Sequence, residues 1–122
     1  MKSHVHPAIK SIHYAIEGIT EAFREEPNLR IHVIFATLAI ILAFIFKLNS
    51  NQWLALIISI TLVLVLELLN TALEELTDLA SPSIHPKAKL AKDVAAGAVL
   101  ISALNSIIVG LIIFVPHFLS LL

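Results

Sequence analysis

Four polar side chains recur at helical spacing along one strongly apolar stretch of this 122-residue sequence. They are Glu67, Asn70, Glu74 and Asp78, and the apolar run 53–66 leads into them without a break. At about 100° per residue, the last three lie about −60°, −20° and +20° from Glu67, so all four share one narrow helix face. An ionisable side chain inside a membrane costs roughly 2.5–3.5 kcal/mol, so such residues are rare and usually functional. This stripe is the first candidate for a chemical site.

Two further charged clusters could act with the stripe: residues 24–26, Arg-Glu-Glu, and the cationic segment 87–93, KAKLAKD. Carboxylates from different helices, without thiolates, suit a hard cation such as Mg²⁺, which usually keeps water and binds substrate phosphates. Lysines facing them would hold the phosphates of a nucleotide. Phosphoryl transfer also needs a base near the accepting hydroxyl. Glu67 lies deeper than the other acids and is a suitable base for a hydroxyl carried by a lipid.

Each of these residues also has a simpler interpretation. Glu26 could be a solvated interfacial charge, and Glu74 and Asp78 could form a solvated helix end. The lysines could only set the topology and touch anionic lipid. Glu67 could pair with a cation or an amide, and His85 could be a loop residue without a role. No GxxxxGK[ST], GxGxxG, HRD or HExxH pattern is present, so any phosphoryl transfer must use an unrelated site.

The composition indicates a small integral membrane protein with a single domain, residues 1–122. Hydrophobic residues make up 58% of the chain and charged residues 14%, with a mean hydropathy of +0.93. These values are too apolar for an ordinary soluble domain. The net charge of −1 leaves no basic face for a nucleic acid, so no such partner is expected. The chain contains no cysteine, which excludes disulfides and thiolate chemistry.

The hydrophobicity pattern predicts an all-α fold with three transmembrane helices and an N-terminal amphipathic surface helix. In the surface helix, apolar residues recur at three- and four-residue steps, which fits either the membrane interface or the side of the bundle. Pro27, the short LNSNQ loop and the prolines within 81–86 separate the helices. The predicted ranges are about 7–25 for the surface helix and about 29–48, 52–78 and 91–115 for the membrane helices.

Individual residues refine this arrangement. His32 and Lys47 are expected to extend toward the membrane interfaces, and Trp53 to anchor the second span at an interface. Asn105 is expected to hydrogen-bond across a helix contact. Pro116 is expected to end the last helix. Small residues at four-residue spacing in that helix should allow a close approach of another helix: Ala98, Ser102, Ser106 and Gly110.

The cations predict the topology. Seven precede the first span or lie between the second and third: Lys2, Lys10, Arg24, Arg30, Lys87, Lys89 and Lys92. Only Lys47 lies between the first and second spans, and the tail carries none. Positive residues accumulate on the inner side, so the N-terminal helix and the 79–92 loop should face the cytoplasm, with Trp53 at the outer surface. Glu74 and Asp78 then lie at the cytoplasmic boundary and Glu67 about 10 Å deeper.

Three segments together resemble one known family. ELLNTALEELTD at 67–78, followed by HPKAKLAKDVAAGAVL at 85–100, resembles the signature of the small prokaryotic diacylglycerol kinase and undecaprenol kinase family. EEPNLRIH at 25–32 is similar to its acidic segment before the first membrane helix, and Tyr14 with Gly18 fits its surface helix. The resemblance implies an ATP- and Mg²⁺-dependent kinase of a membrane lipid alcohol in the bacterial inner membrane. It also implies a homotrimer whose active sites are shared between neighbouring subunits.

The resemblance also implies roles for single residues. Glu67 matches the catalytic base, and Asn70 matches the amide beside it at the substrate. Glu26 and Glu74 match the carboxylates that bind the metal and contact the nucleotide. Pro7 stands where some members carry an arginine near the nucleotide. Four further positions match nucleotide contacts: Tyr14, His85, Lys92 and Asp93.

The lipid substrate has two candidates. The HP at 85–86 and the DVAAGAVL run resemble the undecaprenol kinases more than the diacylglycerol branch. We therefore expect undecaprenol as the substrate, with diacylglycerol as the alternative.

Two readings from other classes remain. A small transporter or proton relay could use Glu67 and Asn70 inside the membrane, although this leaves the gathering of acids and lysines on one membrane face unexplained. A purely structural assembly subunit would account for the small-residue repeat alone.

Overall fold

The computed structural model describes residues 6–122, and this part of the chain forms four α-helices without a strand. The all-α prediction is therefore confirmed. Lys2, one of the cations used to predict the topology, lies outside the described residues. The helices are α1 (Pro7–Glu25), α2 (Pro27–Ile45), α3 (Ser50–Ala80) and α4 (Pro86–Leu119).

Three of these helices, α2, α3 and α4, are long and apolar enough to cross a membrane. Most of their large apolar side chains are exposed, as expected for residues that face lipid. At about 1.5 Å per residue, the 31 residues of α3 and the 34 of α4 span about 46 and 51 Å, more than a hydrocarbon layer of about 30 Å. Both helices therefore project beyond the layer, and the loop 81–85 joins them outside it.

The junction between α1 and α2 is a single residue, Glu26. Its backbone is extended, with φ −105° and ψ 104°, because the ring of Pro27 clashes with a helical conformation of the residue before it. The Arg30 side chain then ties the two helices together, since its Nη1 donates to the carbonyl oxygens of Phe23 at 3.1 Å and Arg24 at 2.6 Å. The junction thus holds Glu26 at a defined place between two helices.

The antiparallel α3–α4 pair forms the largest helix contact. Asn105 donates to the Ser59 hydroxyl at 3.3 Å, which confirms its predicted interhelical hydrogen bond, and Ser106 donates to the Ser59 carbonyl oxygen at 3.3 Å. Ser102 is only 1% exposed. Ser106 of the small-residue repeat therefore contacts α3 as predicted, whereas Gly110 faces an open space, since a Cβ added there would meet nothing within 4 Å.

Pro116 does not end α4, which runs on to Leu119, so that prediction is wrong. Proline removes only its own N–H donor, and in the last turn of a helix this leaves one carbonyl oxygen, that of Ile112, without its usual partner. The turn still closes, because the Ser120 N–H donates to the Pro116 carbonyl oxygen at 3.1 Å.

Candidate active site

The Glu67 side chain is deeply buried, and the residue is only 2% exposed. It belongs to one face of α3 whose buried residues recur at three- and four-residue steps: Leu56, Ser59, Val63, Glu67 and Asn70. The part of this face nearer the start of α3 packs against α4 through Ser59. The same helical period places Val63 one turn beyond Ser59 and carries the Glu67 carboxylate into the interior two turns beyond it.

Asn70 and Glu74 are joined by a hydrogen bond, from Asn70 Nδ2 to Glu74 Oε1 at 3.2 Å. The other amide atom, Asn70 Oδ1, is buried and has no hydrogen-bond partner within residues 6–122. Leaving a buried acceptor unpaired costs roughly 1–3 kcal/mol. The site therefore has a place for a donor from outside the chain, such as a hydroxyl group or a water molecule on a metal ion.

Glu26 lies at the same end of the bundle as the α3 acids. Glu26, at the α1–α2 junction, and Glu74, on α3, are both near enough to Glu67 for their charges to act on it. Close by, a side-chain hydrogen bond with Glu21 and the charge of Glu21 raise the pKa of the exposed Glu25 carboxyl. The repulsion of Glu67 by Glu26 and Glu74 favours a divalent cation near these three carboxylates.

Within residues 6–122, no three acidic or histidine side chains are grouped so that they could hold a metal ion by themselves. Mg²⁺ is usually bound by one or two carboxylates together with water and substrate phosphates. Glu26 and Glu74 could supply two such carboxylates, and the Asn70 side chain, which is bonded to Glu74, carries a free Oδ1. This donor set fits Mg²⁺ in that mode of binding.

A pocket of about 300 Å³ lies where the α3–α4 loop meets the start of α4. His85, Lys92 and Asp93, three of the predicted nucleotide contacts, line it together with Lys89 and Asp78. The cations in it are paired: Lys92 with Asp78, and Lys89 with Asp93 at 2.5 Å. A phosphate group entering the pocket would compete with these carboxylates for the lysines.

His85 and Tyr14 differ in how the structure uses them. His85 Nδ1 accepts a hydrogen bond from the Lys87 N–H at 3.1 Å and so caps the start of α4. This gives His85 a structural role besides the predicted one.

Tyr14 is 56% exposed on α1, with Lys10 Nζ 5.9 Å from its ring, and it does not line the pocket. Within this chain, Tyr14 therefore does not join His85, Lys92 and Asp93 at the pocket.

His32 is a site residue that reasoning from the sequence missed. Its Nε2 lies 3.9 Å from Glu67 Oε2, and its side chain is 23% exposed. The sequence predicts that this histidine extends toward the interface, whereas in the structure it points at the buried carboxylate. An ionisable residue near the end of a membrane helix was the available signal, but only the packing of α2 on α3 identifies its partner.

A groove of about 600 Å³ separates part of α2 from the α3–α4 pair. Its lining is almost entirely apolar, and His32 is the only ionisable residue among the described residues that form it. Within α2 the lining extends from Ile31 to Leu42, so His32 stands at one end of the groove, next to Glu67. His32 therefore connects the apolar groove with the buried carboxylate of Glu67.

Comparison with known proteins matches residues 13–114 to the model of the family described as prokaryotic diacylglycerol kinase. The undecaprenol kinase of Bacillus subtilis (strain 168) is 43% identical over 107 residues, which cover 88% of this chain and 87% of that protein. The diacylglycerol kinase of Synechocystis sp. is 42% identical over 92% of this chain and 65% of its own length. The diacylglycerol kinase of Escherichia coli (strain K12) is 30% identical over 90% of each chain.

Proposed function

Because the chain belongs to the prokaryotic diacylglycerol kinase family and is a membrane lipid kinase, we propose that it phosphorylates undecaprenol. The γ-phosphate of ATP is transferred to the lipid's hydroxyl, giving undecaprenyl phosphate. The relative named undecaprenol kinase supports this choice, since it matches over most of both chains. The HP at 85–86 and the DVAAGAVL run at 93–100, which resemble the undecaprenol kinases, support this choice further.

The observation that carries the proposal is the position of Glu67 between two different environments. On one side lies the apolar groove that ends at His32. On the other lie the half-buried Glu74 and, further along α3, the pocket lined by Lys92. A lipid alcohol suits the apolar groove, and a nucleotide suits the pocket lined by lysines. Phosphoryl transfer requires the two substrates to meet at a base.

The proposed roles follow from depth and charge. Glu67 accepts the proton of the lipid hydroxyl, and Asn70 lies beside Glu67 at the substrate, where its free Oδ1 can accept a hydrogen bond from a water molecule. Glu26 and Glu74 hold Mg²⁺ and meet the nucleotide, and the bound ion neutralises phosphate charge. The remaining nucleotide contacts are Tyr14, His85, Lys92 and Asp93.

We propose that the protein lies in the bacterial inner membrane with its N-terminus and the 81–85 loop in the cytoplasm, where ATP is available. The positive-inside distribution of lysine and arginine supports this orientation. We also propose a homotrimer with shared active sites. The exposed position of Tyr14, away from the pocket in one subunit, supports a site completed by a neighbouring copy.

The decisive experiment is transfer from radiolabelled ATP, with Mg²⁺, to undecaprenol and diacylglycerol offered in competition. We expect label mainly in undecaprenyl phosphate. Glu74→Gln should abolish transfer to either lipid, whereas the matched control Glu75→Gln, one residue along and exposed, should retain it. Preferential labelling of diacylglycerol would overturn the choice of substrate and leave the kinase assignment intact.

Diacylglycerol is the second candidate, with phosphatidic acid as the product. The Synechocystis relative named diacylglycerol kinase, at 42% identity, favours it almost as strongly as the undecaprenol kinase favours undecaprenol. Both lipids present a primary hydroxyl on an apolar body. A transporter, in contrast, would move solute across sealed vesicles without nucleotide, and we expect no such flux.

A further inference from the structure

We propose that His32 is a positioning residue for the lipid alcohol. Its Nε2–H donates a hydrogen bond to the substrate's hydroxyl oxygen, while that hydroxyl donates its own hydrogen bond to Glu67. The inference rests on the proposed function, because it requires a lipid alcohol to react at Glu67.

The first support is the gap between the two side chains. His32 Nε2 and Glu67 Oε2 are 3.9 Å apart, whereas an N–H···O hydrogen bond joins atoms about 2.7–3.2 Å apart. A single oxygen atom about 2.8 Å from each side chain would bridge a gap of this size. A hydroxyl group suits the position, because it has one hydrogen for the carboxylate and lone pairs for the imidazole N–H.

The second support is the place of His32 in the apolar groove. It stands at the end of the groove next to Glu67, and the rest of the described lining has no ionisable side chain. The two serines of the lining, Ser59 and Ser106, are hydrogen-bonded within the α3–α4 contact. An alcohol that arrives along the groove therefore meets its first ionisable side chain at His32, which faces Glu67.

The third support is the burial of the pair. The Glu67 side chain is 3% exposed and the His32 side chain 23% exposed. Hydrogen bonds to buried charged groups are stronger than those in water, so two partners define the place of a hydroxyl oxygen more narrowly than one.

The reaction step balances with His32 keeping its proton. The hydroxyl proton passes to Glu67 while the hydroxyl oxygen forms the new bond to the γ-phosphorus of ATP. The bond from that phosphorus to the β–γ bridging oxygen breaks and ADP leaves. His32 holds the attacking oxygen through a second lone pair, and the restricted position lowers the entropic part of the barrier.

The test uses the full-length protein in lipid and whichever alcohol the wild type phosphorylates faster in the competition assay. We would measure kcat and KM for the alcohol, KM for ATP, and inhibition by a deoxy analogue in which hydrogen replaces the hydroxyl. The variants are His32→Leu, which removes the donor, and His32→Gln, which keeps an N–H donor. Thr37→Val is the matched control, because Thr37 lies on the same helix and its hydroxyl donates only locally, to the Val33 carbonyl oxygen at 2.8 Å.

We expect His32→Leu to lower kcat/KM for the alcohol about fivefold to tenfold, the usual effect of one hydrogen bond, with KM for ATP unchanged. The preference for the alcohol over the deoxy analogue should shrink by a similar factor. His32→Gln should recover most of the loss, and Thr37→Val should behave as the wild type.

Three results would overturn the inference alone: activity insensitive to His32→Leu, equal losses in the Leu and Gln variants, or equal weakening of the alcohol and its deoxy analogue. Each would assign His32 a packing role or none. Failure of the wild type to phosphorylate any lipid alcohol would instead overturn the proposed function, and this inference with it.

Discussion

At the scale of single residues, the site separates its carboxylates by depth. Glu67 is almost fully buried and faces His32. Glu74, two turns along the same helix, is half-buried and hydrogen-bonded to Asn70. A buried carboxylate next to an apolar groove suits a base that meets a lipid hydroxyl. Carboxylates nearer to water suit a hydrated metal ion and a nucleotide.

Replacing Glu67 by glutamine tests this division of roles. Glu67→Gln keeps the shape of the side chain and removes the base, so we expect turnover to fall by about 10²–10⁴-fold. Nucleotide binding should stay nearly intact, because the proposed nucleotide contacts lie elsewhere. Lipid phosphorylation and direct ATP titration measure the two effects, with Glu17→Gln on the exposed surface of α1 as the control. Lost ATP binding in Glu67→Gln would refute the separation.

Glu26→Gln tests the proposed metal site. Removing one of two metal-binding charges should raise the Mg²⁺ concentration required for half-maximal activity. A Mg²⁺ titration of lipid kinase activity measures this. Glu25→Gln is the matched control, since Glu25 is the neighbouring exposed acid on α1 and should leave the titration unchanged. If the Glu26→Gln titration coincided with that of the wild type, Glu26 would not belong to the site.

At the scale of helices, the boundaries place the site residues. The one-residue junction before Pro27 places Glu26 near Glu67 of α3. The helix break after Ala80 returns the chain, so that α4 packs beside α3. The opposite end of α2 is closed by local chemistry as well. Leu48 N–H donates to the Ala43 carbonyl oxygen at 3.1 Å, the pattern of a Schellman motif.

Lys47 is the residue at which this helix end is strained. Its φ is 53°, in the left-handed region that costs a non-glycine residue about 1–2 kcal/mol. Lys47→Gly should therefore raise the free energy of unfolding by up to about 1 kcal/mol, after the greater entropy of glycine in the unfolded chain is subtracted. Reversible unfolding in mixed micelles measures this. Lys47→Ala removes the same side chain and should give no such gain; equal gains in both variants would contradict the backbone explanation.

At the scale of the whole molecule, the helices are unevenly joined. α3 and α4 form the largest helix contact and are hydrogen-bonded through Ser59, whereas α2 leaves the groove of about 600 Å³ open beside them. Large apolar side chains are exposed along all three spans. Lipid and neighbouring copies can both cover such surfaces in a membrane. Our proposals require the lipid substrate to reach the groove.

A substitution at Gly110 tests whether lipid or a neighbouring copy of the chain lies against the groove. It lines the groove, and a Cβ added there would meet nothing within 4 Å in one subunit. Gly110→Ala should therefore raise stability by up to about 1 kcal/mol through helix propensity alone, with oligomer mass unchanged. Unfolding in mixed micelles and light scattering measure these quantities, and Gly97→Ala, equally open, is the control. A loss of stability or of assembly confined to Gly110→Ala would show that a second copy packs tightly against this position and fills the groove.

Local patterns in the sequence determined the helices and most of the polar face. Apolar periodicity, prolines at the junctions and turn residues act over a few positions, so they can be read directly from the letters. The alignment of Asn70 with Glu74 follows from the helical period in the same way, and their hydrogen bond confirms it. Such local rules failed at Pro116, where proline was predicted to end the helix but α4 continues to Leu119.

Only the tertiary structure decided which side chains of different helices face each other. Nothing in the sequence pairs His32 with Glu67, or Lys92 with Asp78 across the α3–α4 loop. Facing pairs depend on how helices cross and on their rotation about their own axes. An apolar helix face has the same composition whether lipid, another helix or an open groove lies against it. Polar partners across helices therefore had to come from the packed structure.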